Sequence, residues 1–363
     1  MPEIHAARRA AAQARLAELD ADAVLVTAPP NVRYLTGLAS SNAALLLPAA
    51  GAGLLATDSR YQLAAGRDAP DLELTLARFI EPVLAAEAGR RGLRHLAVET
   101  HHLTVDQYRQ VQAAAEDAEL LTFDKKIEEL RTVKDPSELE LIATACRITD
   151  QALAGVLPLI RPGLSEHALA TALDHRMAEL GASGPAFDTI VASGPNGALP
   201  HHVPSGRPLR RGDLITMDFG ARFAGYHADM TRTVALGEPA GWQRDIYELV
   251  ATAQRAGRTA ARPGASLREV DAAARDVIAE AGHGEHFGHG LGHGIGLEVH
   301  EAPMIGYGSA GKLEDRVAVT VEPGVYLPGR GGVRIEDVLI VGAGAADGAA
   351  ETLTRTTKEL LAL

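Results

Sequence analysis

The sequence has 363 residues, of which 46% are hydrophobic and 23% charged, a composition typical of a globular chain long enough for two domains. The 47 acidic residues outnumber the 35 basic ones, and the net charge of −12 would repel a nucleic-acid backbone. The single Cys146 cannot form a disulfide within the chain, and no apolar run reaches the roughly eighteen residues of a membrane helix. We therefore expect a cytoplasmic location, no nucleic-acid partner and no membrane partner.

The N-terminal third of the chain predicts a small α/β domain. Its apolar runs AVLVT (23–27), AALLLP (43–48) and GLLATD (53–58) have the length of strands and alternate with helical stretches. The predicted organisation is an N-terminal α/β domain over 1–124, a linker over 125–136 and a second domain over 137–363.

The second domain is predicted to open with a well-capped helix. Asp135 is a candidate N-cap, Pro136 suits the first helical position, and Glu138 places a carboxylate in the first turn. Further on, the stretch RPGLS at 161–165 recurs as RPGAS at 262–266, an offset of 101 residues. We expect two related halves, each with a helix, a Pro-Gly break and a Ser-capped helix before its strands.

Acidic residues interrupt the apolar strands that follow each helix pair. LITMDFG (214–220) and HADMTRTVAL (227–236) carry Asp218 and Asp229, and we expect a β-hairpin to bring them together. VAVTVEPGVYL (317–327) and VRIEDVLIV (333–341) similarly carry Glu322 and Glu336. A pseudo-twofold between the halves would gather all four carboxylates, whose repulsion two divalent cations would neutralise.

The stretch FGHGLGHGIGLEVHE (287–301) concentrates histidines and glycines. His293 is a candidate metal ligand, because its flanking glycines would let the backbone approach a metal without a Cβ clash. The glycine spacing does not match the dinucleotide-binding pattern G-x-G-x-x-G. His300 is better placed as a proton carrier than as a ligand, and His201 is expected to enter the same cavity from the first half.

These motifs resemble the pita-bread metallopeptidases, and within them the Xaa-Pro peptidases, aminopeptidase P and prolidase. The resemblance rests on MDFG, HADMTRT, GHGIGLEVHE, VEPGVY and RIED, and on the N-terminal and linker stretches YLTGLASSNAALLL, TDSRY and ELRTVKDPSELELI. It implies an α+β fold in which a pita-bread (creatinase/aminopeptidase) domain with pseudo-twofold αβ halves follows a smaller creatinase-like α/β domain.

The resemblance also implies the roles of the site residues. It assigns five metal ligands, which are Asp218, Asp229, His293, Glu322 and Glu336. Asp218 and Glu336 would bridge two metal ions, and Glu322 would also take a proton from water. The remaining assignments are His201 and His300 as substrate-binding and catalytic residues, His289 as a substrate-binding residue of the pocket, and Arg334 as a catalytic residue that steadies the ligand network.

The expected cofactors are two divalent ions per chain, Mn²⁺ by family likeness, with Co²⁺ and Zn²⁺ also compatible with the ligands. The expected substrates are peptides with proline in the second position, and a homodimer is the expected assembly. Cleavage by an Xaa-Pro aminopeptidase is favoured over a dipeptidase restricted to Xaa-Pro dipeptides. Two further alternatives are metal-free, creatinase-like hydrolysis and an inactive protein-binding module, and the complete ligand set argues against both.

Overall fold

The computed structural model describes residues 2–115, 117–342 and 348–363. The chain divides into two compact units, Met1–Arg131 and Thr132–Leu363. The division falls within the segment 125–136 that was assigned to a linker, and the domain bounds drawn from the sequence stay a prediction. None of the helices in the described residues combines the length and apolar character needed to cross a bilayer.

The N-terminal unit is built on one six-stranded sheet. Its helices are α1 (Pro2–Leu16), α2 (Pro29–Thr36), α3 (Gln62–Asp68), α4 (Ile80–Arg90), α5 (Val105–Ala114) and α6 (Lys126–Thr132). Its strands are β1 (Ala23–Val26), β2 (Ala43–Pro48), β3 (Leu54–Thr57), β4 (Glu73–Leu76), β5 (His95–Val98) and β6 (Glu119–Thr122). They lie in the order β4-β3-β2-β1-β5-β6. The three apolar runs of the sequence become β1, β2 and β3, because their side chains fill the core of this unit.

The second unit contains four long helices and a set of short strands. The helices are α7 (Pro136–Val156), α8 (Glu166–Glu179), α9 (Gly241–Ala260) and α10 (Leu267–Glu280). The strands are β7 (Gly184–Pro185), β8 (Ile190–Ser193), β9 (Leu214–Phe219), β10 (Ala221–Phe223), β11 (Tyr226–His227), β12 (Met230–Ala235), β13 (Gly292–Gly294), β14 (Glu301–Ile305), β15 (Ala318–Val321), β16 (Gly324–Leu327), β17 (Gly331–Arg334), β18 (Asp337–Ile340) and β19 (Glu351–Thr352).

The helix signals read from the sequence are confirmed in this unit. Asp135 caps α7 by accepting from the backbone N–H of Ser137 and Glu138, and Glu138 completes a capping box. Ser165 caps α8 and Ser266 caps α10, so the two helices begin at the 101-residue offset of the repeat. The second helix of each pair therefore begins at an equivalent position of the repeat, after a serine N-cap.

Each half builds a core of its own between helices and a sheet. The first core contains residues of α7 and α8 with strands of the sheet β12-β9-β8. The second contains residues of α9 and α10 with strands of the sheet β14-β13-β15-β18-β19. Strands β9 and β12 of the first half contact β17 of the second, and β12 also contacts β18.

The predicted hairpins need a correction. Strands β9 and β12 do pair antiparallel, but residues 220–229 between them form the separate strands β10 and β11. The runs 317–327 and 333–341 are each broken into two strands, so that β15 pairs with β18 while β16 pairs with β17 in another sheet. An apolar run predicts strand structure, but it does not show where a chain leaves one sheet for the next.

Candidate metal centre

The four acidic residues lie at the ends and breaks of these strands. Asp218 is in β9 opposite Thr231, and Asp229 immediately precedes β12. Glu322 follows β15 at the break before β16, and Glu336 lies at the break between β17 and β18. In the second half, the breaks between strands thus bring the two glutamates close to the two aspartates, which lie in or beside the paired strands β9 and β12.

The carboxylates and one imidazole form two overlapping groups of ligand atoms. One group contains Asp218, Asp229 and Glu336, and the other contains His293, Glu322 and Glu336. Within each group the ligand atoms lie within 4.8 Å of one another. Because Glu336 belongs to both, the arrangement suits two neighbouring cations that share a carboxylate.

The hydrogen bonding of these acids also fits a cation site. Among the described residues, Oδ1 of Asp218, Oδ1 of Asp229 and Oε1 of Glu336 are buried without a hydrogen-bond donor. A buried carboxylate oxygen without a partner is costly, because it has lost its hydration. Divalent ions would satisfy all three oxygens at once, which is the observation of the structure that best supports metal binding.

The pKa values of the buried acids also favour cation binding at the site. Burial, together with the neighbouring carboxylates, raises the pKa of both Asp229 and Glu336 well above the usual range. Burial also raises the pKa of Glu322, but the hydrogen bond and charge of His293 outweigh it, so that this pKa is lowered overall. Without cations, the site therefore resists carrying all its negative charges.

His293 is oriented as a metal ligand. Its Nδ1 lies 3.0 Å from the carbonyl oxygen of Gly294, an acceptor, so the proton belongs on Nδ1. Its Nε2 lies 3.4 Å from Glu322 and 3.7 Å from Asp229. The lone pair of Nε2 is thereby directed among the carboxylates.

The reason expected for the glycines beside His293, a close approach to a metal, is wrong. Residues 292–294 form strand β13 between β14 and β15. A Cβ on Gly292 would collide with the carbonyl oxygen of Thr320, and one on Gly294 with that of Ala302. The glycines allow close approach of neighbouring backbone rather than approach to a metal.

The remaining predicted histidines line a cavity of about 780 Å³ that also contains the acids. His300 is exposed, and its ring packs edge-on against that of His293 with centroids 4.3 Å apart. Partial desolvation of the ring lowers the pKa of His300. His201 lines the same cavity, and its ring makes no hydrogen bond with any described residue.

Arg334 and Tyr326 form hydrogen bonds with side chains that line the site. Arg334 donates from Nη2 to Asp218 at 2.6 Å, from Nε to the hydroxyl of Thr231 at 3.0 Å and from Nη1 to the phenol of Tyr326 at 2.9 Å. Burial raises the pKa of Tyr326 to about 12, so its phenol keeps a proton to donate to Nε2 of His289 at 2.8 Å. Thr231 in turn donates to Glu336 at 2.7 Å.

The sequence reasoning missed Tyr326 and Thr231. Thr231 lies two residues after Asp229, on the same side of its strand, which is a spacing that could have marked it. Tyr326 lies past the strand break that follows Glu322 and gives no comparable signal. The apolar wall of the cavity, formed in part by Phe187, Val203 and Met304, was also not predicted.

Comparison with known proteins agrees with this geometry. The model of metallopeptidase family M24 matches residues 140–343, and that of the creatinase/prolidase N-terminal domain matches residues 8–133. The chain belongs to metallopeptidase family M24. This M24 metallopeptidase is therefore a hydrolase of a family that works with divalent metal ions, and its pita-bread fold, expected from the motifs, is confirmed.

Individual relatives cover nearly the whole M24 chain. It is 36% identical to a Xaa-Pro dipeptidase of Pyrococcus horikoshii, over 94% of each sequence. The solved structure of a Xaa-Pro dipeptidase from Bacillus anthracis is similar with a TM-score of 0.95 and 38% identity, covering 99% of this chain and 100% of the other. An X-Pro aminopeptidase from Thermotoga maritima is similar with a TM-score of 0.88 and 35% identity, covering 96% and 100%.

Proposed function

We propose that this M24 metallopeptidase hydrolyses the peptide bond between a first residue and a following proline. The observation that carries the proposal is the group of buried carboxylate oxygens without donors, which line one cavity together with His293 and apolar side chains. The Xaa-Pro dipeptidases among its relatives support the choice of substrate. The apolar wall at Phe187 and Val203 suits the pyrrolidine ring of proline.

Each site residue has a role in this reaction. Asp218, Asp229, His293, Glu322 and Glu336 would hold two divalent ions, and Mn²⁺ is the proposed metal. When bound, such ions lower the pKa of a water molecule and stabilise negative charge on the scissile carbonyl oxygen. Arg334 holds Asp218 in place through its short hydrogen bond.

Proton transfer is assigned to the groups that face the cavity. We assign to Glu322 the role of accepting the proton of the attacking water, because its carboxylate lines the cavity beside the other candidate ligands. The nitrogen of proline carries no hydrogen in the peptide and must be protonated to leave, and we assign Glu322 to pass on to it the proton taken from water. We assign substrate binding and stabilisation of the intermediate to His300 and His201, which line the cavity together with His289.

Within this class, we propose a dipeptidase. The sequence alone favours an aminopeptidase, but several relatives that match nearly the whole chain are Xaa-Pro dipeptidases or prolidases. An Xaa-Pro aminopeptidase is the second candidate, which the Thermotoga maritima structure supports.

The substrate proposal is tested by comparing Ala-Pro, Ala-Pro-Ala and Ala-Ala with the Mn²⁺-loaded protein. We expect Ala-Pro to be cleaved with a higher kcat/KM than both other peptides. Preferred cleavage of Ala-Pro-Ala would replace the dipeptidase by the aminopeptidase. Equal cleavage of Ala-Ala and Ala-Pro would contradict specificity for proline.

We also propose that the protein is a cytoplasmic homodimer. Strand β4 is an edge of the six-stranded sheet, and the nearby side chains of Leu76 and Phe79 are 45% and 71% exposed. An edge strand beside exposed apolar side chains favours pairing with another chain. Light scattering is expected to give the mass of two chains, and a monomeric mass would contradict the proposal.

A further inference from the structure

One completely buried carboxylate of the catalytic unit, that of Glu166, lies outside the candidate metal ligands. Glu166 begins α8, and its side chain has no exposure to solvent. Neither sequence reasoning nor the ligand groups assign it a role. A buried carboxylate is costly unless it is fully hydrogen-bonded, so its partners indicate what it stabilises.

The partners of Glu166 all lie in the segment 193–205. Oε1 accepts from the backbone N–H and hydroxyl of Ser193 at 2.8 and 2.7 Å, and from the amide of Asn196 at 2.9 Å. Oε2 accepts from the backbone N–H and hydroxyl of Ser205 at 3.2 and 2.7 Å. Nε2 of His202 lies 2.9 Å from Oε2 and donates to it. One carboxylate thus holds both ends and the middle of this loop.

These bonds are strong enough to keep the carboxylate ionised. Burial raises the pKa of Glu166, but the hydrogen bonds from Ser205, Ser193, Asn196 and His202 outweigh burial and lower it to about 2. Its oxygens accept seven hydrogen bonds from four residues, so all of the roughly four lone-pair sites of the carboxylate are occupied. The loop is therefore held by charge-assisted hydrogen bonds at neutral pH.

In the described part of the chain, His201 lacks the ring hydrogen bonds that orient His289 and His293. The ring of His289 bonds to Tyr326 and that of His293 to a carbonyl oxygen, so their own side chains are oriented. The ring of His201 has no hydrogen-bond partner among the described residues, although it lines the cavity. Its position is set by its backbone, and the adjacent His202 is a direct partner of Glu166.

We propose that Glu166 is a positioning residue, which fixes the loop 193–205 and thereby holds His201 at the cavity. The kinetic consequence of this inference rests on the proposed peptidase function, whereas the anchoring of the loop is independent of that function. The carboxylate touches no reacting atom in this account. It acts through the backbone between Asn196 and Ser205, in the half of the unit that does not carry His293.

The test compares Glu166→Gln with Glu179→Gln, in which the same chemical change is made at an exposed carboxylate at the other end of α8. The amide nitrogen of Gln is a donor and cannot accept a hydrogen bond from the N–H and O–H groups of the loop, so the loop loses part of its anchor. We expect faster hydrogen exchange of amides in 193–206, with unchanged exchange in β9 and β18. With Mn²⁺ bound and metal content unchanged, kcat/KM for Ala-Pro is expected to fall about 10- to 100-fold, as for misplaced catalytic groups.

A double-mutant cycle separates positioning from a general loss of structure. If Glu166 acts through His201, Glu166→Gln combined with His201→Ala is expected to be no more than about twofold slower than His201→Ala alone. Losses that multiply fully, or a Glu166→Gln variant that matches Glu179→Gln in exchange and kinetics, would overturn the proposal.

A milder variant covers the case in which Glu166→Gln does not fold. Ser205→Ala removes one donor to Glu166 and leaves the carboxylate in place. It is expected to speed exchange in the loop and to lower kcat/KM by a smaller factor, and wild-type behaviour in both would overturn the proposal. A wild-type protein that does not cleave Ala-Pro would refute the proposed function, and the exchange data alone would then decide whether Glu166 anchors the loop.

Discussion

The two halves of the catalytic unit share a frame but contribute different chemistry. Helices α8 and α10 start at equivalent positions of the repeat, each after a serine cap. The first half supplies Asp218 and Asp229 from the adjacent strands β9 and β12, whereas the second supplies Glu322 and Glu336 from breaks between two sheets. Duplication therefore accounts for the scaffold, while the ligand set depends on where each half interrupts its strands.

The halves also differ in how they hold their histidines. In the second half, His293 lies within a strand and His289 bonds to Tyr326. Glu301, directly after His300, forms a buried ion pair with Lys134 at 2.7 Å. In the first half, the loop around His201 is fastened from behind by Glu166. We infer that the second half orients its imidazoles locally, and that the first half orients its imidazole through the backbone.

The largest effect is expected at the carboxylate that both ligand groups share. Glu336→Gln removes a charge from two metal sites at once, so metal content and kcat/KM for Ala-Pro are expected to fall together, the latter by about 1,000-fold or more. Elemental analysis and peptide assays measure the two quantities. Glu351→Gln, at an exposed carboxylate, is the control. Full metal content in Glu336→Gln would show that the halves do not meet at a common site.

The next effect concerns the buried ion pair of the second half. Lys134→Met leaves the carboxylate of Glu301 without its ammonium partner, and removing one member of a buried pair costs about 3–5 kcal/mol of unfolding free energy. Arg176→Ala, in the exposed pair with Glu179, is expected to cost less than about 1 kcal/mol. Denaturant unfolding compares them, and equal losses would contradict the importance of this pair.

The anchor of the first half predicts a dependence of stability on pH. The pKa of Glu166 is lowered from 4.5 to about 2, so its stabilising effect is present above pH 4.5 and is lost as the pH falls toward 2. The difference in unfolding free energy between wild type and Glu166→Gln is expected to shrink by roughly 3 kcal/mol over that range. Chemical unfolding at several pH values measures it, and a difference that stays constant would argue against an ionised anchor.

The smallest of these effects is expected where the two halves are linked by Arg334. Lysine keeps the charge of Arg334 but cannot donate to Asp218, Thr231 and Tyr326 together, because its ammonium lacks the planar guanidinium fork. Arg334→Lys is expected to weaken metal binding about 10- to 100-fold, as for other groups that orient ligands. Isothermal titration with Mn²⁺ measures this affinity. Arg355→Lys, at an exposed arginine, is the matched control, and equal affinities would contradict the role of Arg334.

Much of the frame could be predicted from the sequence because its signals are local. The caps at Asp135, Ser165 and Ser266, and the strands of the N-terminal unit, follow from short-range hydrogen bonding and apolar patterning. The paired strands and the pseudo-twofold also predict that the four acids meet, and their ligand atoms do lie in two overlapping groups that share Glu336.

What could not be predicted depends on contacts between distant strands. The glycines beside His293 are required by carbonyl groups of β14 and β15, which local sequence does not reveal. Glu322-Pro323-Gly324 and Glu336-Asp337 interrupt the apolar runs, but local sequence does not show that the chain passes from one sheet to another there. Glu166 looks like an ordinary acidic residue in the first turn of a helix, and only the folded loop shows that it accepts from Ser193, Asn196, His202 and Ser205.

The most direct test of the account is a metal titration of the stripped protein. After EDTA treatment and removal of the chelator, the protein is expected to lose cleavage of Ala-Pro, and activity should return with Mn²⁺ until two equivalents per chain are bound. Binding and activity would then reach their plateaus together. Cleavage of Ala-Pro by the stripped protein at the original rate would contradict the claim that the four carboxylates and His293 form a binuclear metal centre.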